Sequence, residues 1–169
     1  MNPLKTKTLF FACSALFCLE AFALPDDQQQ PISIEADKAF FDQKTGVATY
    51  DGNVIAKQGS IEIIAEHLTI KTDIATNEFN SLHAKGSPSS FSQTIDEAGS
   101  ILKATGDTLD YSVTKGELEV HDNGFLKRGD NEISADYIHY FIEKDTFNAE
   151  NRGSGRVNMT LQPASNQQN

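Results

Sequence analysis

The sequence predicts an all-β domain, an antiparallel meander whose hairpins stack along one axis. Three observations lead there. One motif occurs four times, at Ile34 to Phe41, Ile63 to Ile70, Ala104 to Tyr111 and Ile133 to Tyr140. Its acidic residue recurs at Asp37, Glu66, Asp107 and Asp136, in steps of 29, 41 and 29 residues, and a period of this size signals stacked supersecondary units. Short runs of alternating apolar residues are separated by Gly, Asp and Asn turns. No segment carries the apolar period of an amphipathic α-helix.

The elements follow in order. Lys5 and Lys7 precede an apolar run from Thr8 to Leu19, which at 12 residues is too short to span a bilayer. Ala21-Phe22-Ala23 completes a secretory signal, with cleavage expected after Ala23. Leu24 to Gln30 reads as a loose polar segment. Strands are expected at 31–36, 47–50, 54–57, 60–65, 67–71 and 77–84, with turns at Asp42 to Gly46, Asp51-Gly52 and Gln58-Gly59. Ser87 to Ser100 holds Pro88, Gly99 and several serines, and here the step stretches to 41; a long loop or hairpin insertion is expected, with one strand near Phe91. Strands resume at 101–105, 108–113, 117–121, 124–127, 132–135, 137–142, 146–149 and 156–161. The domain is thus expected over 31–162, with a disordered tail at 163–169.

Composition excludes several function classes. The two cysteines, Cys13 and Cys18, leave with the signal, so the 146-residue mature chain has no disulfide and no thiol nucleophile. Removing Lys5, Lys7 and Glu20 leaves 12 basic and 23 acidic residues, a net charge of −11. That charge disfavours nucleic acid and anionic membrane surfaces, both of which need clustered Lys and Arg. The histidines His67, His83, His121 and His139 lack metal-ligand spacing, and no metal or cofactor is expected. The recurrent acids suit turn or strand-end roles, because Asp bonds its own backbone. Gly153-Ser154-Gly155 lacks the strand-to-helix setting of a phosphate loop. With no Trp and 15 aromatic residues, a sugar-stacking platform has little support.

The apolar strand faces remain. They include Ile32 and Ile34, Ile61 and Ile63, Leu68 and Ile70, Leu109, Tyr111 and Val113, Leu118 and Val120, and Ile138, Tyr140 and Ile142. Such faces fill the core of an ordinary sandwich. They equally line an apolar trough if two layers splay apart, and periodicity does not separate the two.

Several stretches resemble a known family. Gln30 to Asp37 is similar to its opening strand, and Gly52-Asn53-Val54-Ile55-Ala56-Lys57-Gln58-Gly59-Ser60-Ile61-Glu62-Ile63 to its most recognisable stretch. Gly86-Ser87-Pro88, Gly106 to Tyr111, and Gly155-Arg156-Val157 with the alternation ending near Pro163 follow in the expected order. Over roughly residues 30 to 163 the chain resembles the OstA-like family of periplasmic lipopolysaccharide-export proteins. The resemblance implies a twisted antiparallel β-jelly-roll of stacked hairpins, open at both ends, with an apolar groove for the acyl chains of lipid A. It also implies head-to-tail self-association, and pairing with related β domains of an inner-membrane-anchored and an outer-membrane export protein.

The resulting expectation is a non-enzymatic lipopolysaccharide carrier in the periplasm. Its groove candidates are Ile32, Ile34, Ile61, Ile63, Phe91, Tyr111, Val113 and Ile138. The negative chain is expected to keep the phosphorylated head group outside. Two alternatives stand beside it: a strand-pairing spacer without bound lipid, and an exported carbohydrate-active enzyme, which would need two carboxylates in a cleft.

Overall fold

The computed structural model describes residues 27–76 and 78–162. The expected signal segment and the 163–169 tail lie outside them. Ten antiparallel strands form one sheet: β1 (Ile32–Glu35), β2 (Lys38–Asp42), β3 (Val47–Gln58), β4 (Ile61–Thr72), β5 (Phe79–Thr94), β6 (Ile101–Ser112), β7 (Glu117–Arg128), β8 (Asn131–Phe141), β9 (Thr146–Glu150) and β10 (Asn158–Thr160). The path is a meander, β3 to β8 in sequence order, with β1 and β2 sharing the outer side of β3 and β9 and β10 sharing that of β8. A 3-10 turn, Asp27–Gln29, precedes β1.

The sheet is creased across its middle. Pairing is interrupted between Asp51 and Val54, Ile64 and His67, Lys85 and Ser89, Thr105 and Thr108, and His121 and Gly124. These interruptions form one line of β-bulges running perpendicular to the strands, and each bulge bends its strand. The gap between β1 and β2 and the gap between β9 and β10 lie on the same line.

Local chemistry sets the crease. Gly52 and Asn53 have φ of 80° and 47°, and Asp122 and Asn123 have 58° and 55°. This left-handed region is open to Gly and tolerated by Asn and Asp. Asn53 Nδ2 donates to Asp37 Oδ2 at 2.9 Å, and Asn123 Nδ2 donates to Asp107 Oδ2 at 2.9 Å, each across 16 residues. The backbone N–H of Arg152 donates to Asp136 Oδ2 at 3.0 Å, again 16 residues away. Glu66 faces the Gly52-Asn53 bulge, where β3 leaves two residues against one. The four recurrent acids therefore mark crease positions.

The crease divides the sheet into two layers. The first holds β1, residues 54–58, 61–65, 89–94, 101–106, 124–128 and 131–135, and β10. The second holds β2, residues 47–51, 67–72, 79–85, 108–112, 117–121 and 137–141, and β9. Leu82 and Phe91 lie nine positions apart on β5, and Leu82 pairs with Tyr111. Even so, the Phe91 and Tyr111 rings are 5.3 Å apart. Only a sheet folded back on itself brings them together. The result is a twisted jelly-roll whose two outer edges carry unpaired strands.

Several expected strands merge. The pairs expected at 47–50 and 54–57, 60–65 and 67–71, 101–105 and 108–113, 117–121 and 124–127, and 132–135 and 137–142 are single long strands with a bulge at each expected break. Asp51-Gly52 is a bulge rather than a turn, because β4 keeps pairing on both sides of it. The expected 87–100 insertion is also corrected. Residues up to Thr94 are strand, and the excess length is shared among the loop before Phe79, the Gly86 to Pro88 bulge and the 95–100 loop. The last strand is shorter than expected, Asn158–Thr160. Segment 27–30, expected to be loose, is tied down. Asp27 accepts from Ser60 N at 2.7 Å, Ser60 Oγ at 2.8 Å and Gln93 Nε2 at 3.0 Å, and these bonds hold its carboxylate in a buried seat.

At the crease the layers come close, and the first inward position of the first layer is small: Val54, Ala65, Ser89, Gly106, Gly124 and Ala135. A Cβ at Gly124 would sit 2.7 Å from the Ala135 carbonyl oxygen, and one at Gly106 would sit 2.6 Å from Val120 Cγ1. Gly124→Ala should therefore destabilise the domain by about 1–3 kcal/mol, as overpacking does. Gly153→Ala, with open space around it, should change stability by less than about 0.5 kcal/mol. Urea unfolding of both variants checks the difference.

Candidate functional site

The inner face of the roll is the candidate site, and strand register builds it. In the first layer one row runs Ile34, Ala56, Ile63, Phe91, Ala104, Leu126, Ile133, Met159, each residue paired with the next. In the second layer a row runs Phe41, Ala48, Ile70, Leu82, Tyr111, Leu118, Tyr140, Phe147. A third runs Ala39, Tyr50, Leu68, Ala84, Leu109, Val120, Ile138, Ala149, nearer the crease. Each is an unbroken apolar stripe from one edge of the sheet to the other.

The stripes do not stop at the covered part of the molecule. Phe41 at one edge is 56 % exposed, and Met159 at the other is 46 % exposed. Among the described residues, the buried polar or charged ones are Asp27, Gln58 and Ser89. Ser89 Oγ is satisfied by the Gly106 carbonyl at 2.8 Å. The interior is an apolar medium in which Asp27, Gln58 and Ser89 are hydrogen-bonded, while Gln93 Oε1 is buried without a partner among the described residues.

Of the eight groove candidates, Ile61, Ile63, Phe91, Tyr111, Val113 and Ile138 are buried, and Ile32 and Ile34 are half-buried against the same core. Phe91 and Tyr111 touch across the layers, and Ile32, Ile61, Ile63 and Tyr111 border one void. Ile138 lies apart, near the crease; a Cβ at Gly124 would be 3.5 Å from its Cδ1. Val113 sits at the mouth, where its carbonyl accepts from Gln28 Nε2 at 3.0 Å.

The trough is closed at mid-length. The void beside Ile61, Ile63 and Tyr111 is about 10 Å³, room for one water at most. Phe91 of the first layer packs on Tyr111 of the second, and both are buried. The ends are more open. At the β10 edge a cleft of about 160 Å³ lies between the layers, lined by Leu126, Ile133, Tyr140, Phe147, Met159 and Leu161 together with Arg128, Asn131 and Asp145. At the mouth near the N-terminal edge a cleft of about 430 Å³ is bordered by Gln28, Gln29, Gln30, Gln58, Glu78, Phe79, Val113 and Thr114.

Among the described residues, the interior groups with shifted acidity are tyrosines. Burial, chiefly, with the Asp27 charge nearby, pushes the Tyr111 phenol up to about 12. Burial and a hydrogen bond to Asp145 push Tyr140 above the usual phenol range. Both stay neutral near pH 7. Carboxylates and imidazoles pair on the outer surface, as in His83–Asp110 and His67–Asp51, each at 2.6 Å. Among the described residues no three or more His, Cys, Asp or Glu side chains are arranged to hold a metal. No described helix is long and apolar enough to cross a membrane.

Sequence reasoning missed part of this lining. Ala56, Ala104, Leu126, Ile133, Leu82 and the edge residues Phe41 and Met159 belong to the same stripes. The available signal was the switch of apolar parity within a strand, from Ile61 and Ile63 to Leu68 and Ile70, which marks a bulge and keeps both halves facing inward.

Known proteins share this architecture. Residues 33–146 match the family model described as LptA/(LptD N-terminal domain) LPS transport protein. The chain is 32 % identical over 169 residues to lipopolysaccharide export system protein LptA of Haemophilus influenzae, covering 99 % of this chain and 98 % of that one. It is 31 % identical over 163 residues to LptH of Pseudomonas aeruginosa, covering 92 % of each. The crystal structure of LptH, described as the LptA homologous periplasmic component of the lipopolysaccharide transport device of that organism, superposes with a TM-score of 0.75 at 29 % identity, over 82 % of this chain and 100 % of that one. A creased roll with apolar stripes running out at both edges, matched along nearly its whole length to lipopolysaccharide transport proteins, places the chain in the LptA/LptD N-terminal-domain family.

Proposed function

We propose that the chain is a periplasmic, non-enzymatic carrier that takes the acyl chains of lipopolysaccharide between its two layers and passes them along stacked copies toward the outer membrane. The observation that carries this reading is that the apolar stripes run unbroken from edge to edge, Phe41 to Phe147 in one layer and Ile34 to Met159 in the other, and that Phe41 and Met159 are left exposed at opposite edges. A closed core would cover its edge positions with polar side chains. Here the lining is presented to whatever pairs with the edge.

Energetics support the same reading. Burying acyl chain contributes roughly 0.8 kcal/mol per methylene, so a multi-chain lipid needs no charge attraction to remain bound. The layers must part to admit it, and in doing so they exchange contacts with each other for contacts with hydrocarbon. The net charge of the whole chain, −10, opposes entry of the lipid phosphates and keeps the head group at the mouth. No nucleotide-binding loop occurs in the sequence, so directional movement draws on energy supplied by a partner.

Edge strands leave backbone N–H and C=O groups free for strand addition. The β1–β2 edge of one copy and the β9–β10 edge of the next, or of related domains anchored in either membrane, would join in this way. The joint continues the apolar stripe from copy to copy.

Photo-crosslinking amino acids at Ile34 and Tyr111 should capture purified lipopolysaccharide, and one at exposed Lys44 should not. Equal capture at all three would end the groove reading. Capture of protein partners alone would favour a strand-pairing spacer. Phe41→Asp and Met159→Asp should each shift the self-association curve in sedimentation toward monomer by about tenfold or more in concentration, since charges at an interface core are costly. Their melting temperatures should stay near that of the parent, because both side chains are exposed.

A further inference from the structure

The mouth of the roll, opposite the crease, is held shut by polar bonds that the core does not need. Asp27 is seated against the first layer, where it accepts from Ser60 N, Ser60 Oγ and Gln93 Nε2. Gly59 leaves room for it: a Cβ there would sit 2.3 Å from Asp27 Oδ1. Gln58, also of the first layer, donates through Nε2 to the carbonyls of Gln28 at 3.3 Å and Gln30 at 3.0 Å. The next side chain reaches the other lip, with Gln28 Nε2 donating to the carbonyl of Val113, just beyond β6 in the second layer, at 3.0 Å.

A second bridge lies toward the β10 edge. Arg128 ends β7 on the lip of the first layer, and its Nε is 2.8 Å from Asp145 Oδ1 in the turn of the second. Tyr140 OH donates to the same carboxylate oxygen. Together with Leu126 and Ile133 these residues line the cleft between the layers.

We propose that Asp27–Gln30 and the Arg128–Asp145 pair are latches that set how fast acyl chains enter sideways through the mouth. The inference rests on the carrier reading above and adds its gate. The first latch is a strap anchored on one lip and tied to the other by side chains, Gln28 reaching both the Val113 carbonyl and the Tyr111 phenol, so it releases without disturbing the strand ladder. The strap lines the mouth cleft with Gln58, Phe79 and Val113, and Gln58 also borders the void beside Tyr111, Ile61 and Ile63, so release leads from the mouth to the apolar rows. The Asp27 carboxylate makes the firmer anchor, while the Gln28 hook is a neutral hydrogen bond and the second bridge a partly exposed ion pair, both individually weak. Such bonds suit a gate that must open without unfolding the domain.

If closed and open states are in equilibrium, weakening the closed state raises the fraction competent to bind, and apparent affinity rises by the same factor. The test uses the full mature chain with a photo-crosslinking residue at Ile63, mixed with purified lipopolysaccharide. Gln28→Ala removes the strap's side-chain bonds to Val113 and to the Tyr111 phenol, Asp27→Asn weakens the anchor, and Arg128→Gln opens the second bridge. Each should speed initial capture about three- to tenfold relative to the parent. Acyl-free core oligosaccharide should not compete in any of them. Parent-like capture rates in Gln28→Ala and Arg128→Gln, with unchanged melting curves, would overturn the gate and leave the carrier reading standing. Absence of capture in the parent chain would overturn both. Slower capture in folded variants would show that the strap recruits lipid rather than bars it, which also defeats the gate.

Discussion

The crease governs this molecule. A flat ten-stranded sheet would expose two faces, and its apolar residues would have nothing to pack against. The line of bulges folds the sheet back on itself, so that each long strand supplies both halves of its own core. The devices are local and cheap. Pairs of left-handed residues such as Gly52-Asn53 and Asp122-Asn123 supply the bend, and Asp37 and Asp107 hold the Asn side chains of two of those bends in place. Small residues then let the layers meet there. A side chain at Gly106 would strike Val120 of the opposing layer, and one at Gly124 would strike the Ala135 carbonyl of the neighbouring strand, and bulk increases away from the crease toward Phe91, Leu126 and Ile133.

A wedge of this kind has a tight apex, and in the proposed carrier its mouth parts. Parting the layers at the mouth leaves the crease bonds intact, since the meander pairing lies within the sheet rather than between layers. What parting does expose is the apolar lining, and in water that is unfavourable by roughly 25 cal/mol for each Å² uncovered. Hydrocarbon changes the balance, because it replaces the lost contacts. The proposed carrier therefore opens to lipid and stays shut to water by the same physics that folds it. The tight packing at mid-length and the proposed binding of acyl chains are then two states of one interface.

Much of this was legible before the structure. Nearly every strand could be placed from alternation and turn residues, and the recurrent acids at 37, 66, 107 and 136, expected at turns or strand ends, lie along the crease, three of them at bulges inside long strands. What misled was the treatment of Asp51-Gly52 and Asp122 to Gly124 as ends of strands. Gly and Asp there have the signature of a hairpin turn, and only pairing with the next strand distinguishes a turn from a bulge. The same ambiguity hid the length of β5, because Gly86-Ser87-Pro88 reads as a terminator while Phe91 pairs with both Ile63 and Ala104 beyond it. The seat of Asp27 was invisible for a different reason. Its partners Ser60 and Gln93 are distant in sequence, and a polar stretch of Asp and Gln carries no periodic signal. Whether the apolar faces are filled or open depends on how side chains from distant strands interlock, which periodicity does not encode.

The most direct measurement is the distance between the two lips. Spin labels at exposed Asp130, in the turn between β7 and β8, and at exposed Lys144, in the turn between β8 and β9, report it on opposite layers. Pulsed electron–electron resonance should show one short distance in the free protein and a longer population as lipopolysaccharide is added, with no change on adding its acyl-free saccharide. Stable association with lipopolysaccharide at an unchanged lip distance would place the lipid on the outside of a permanently closed roll and contradict the central claim.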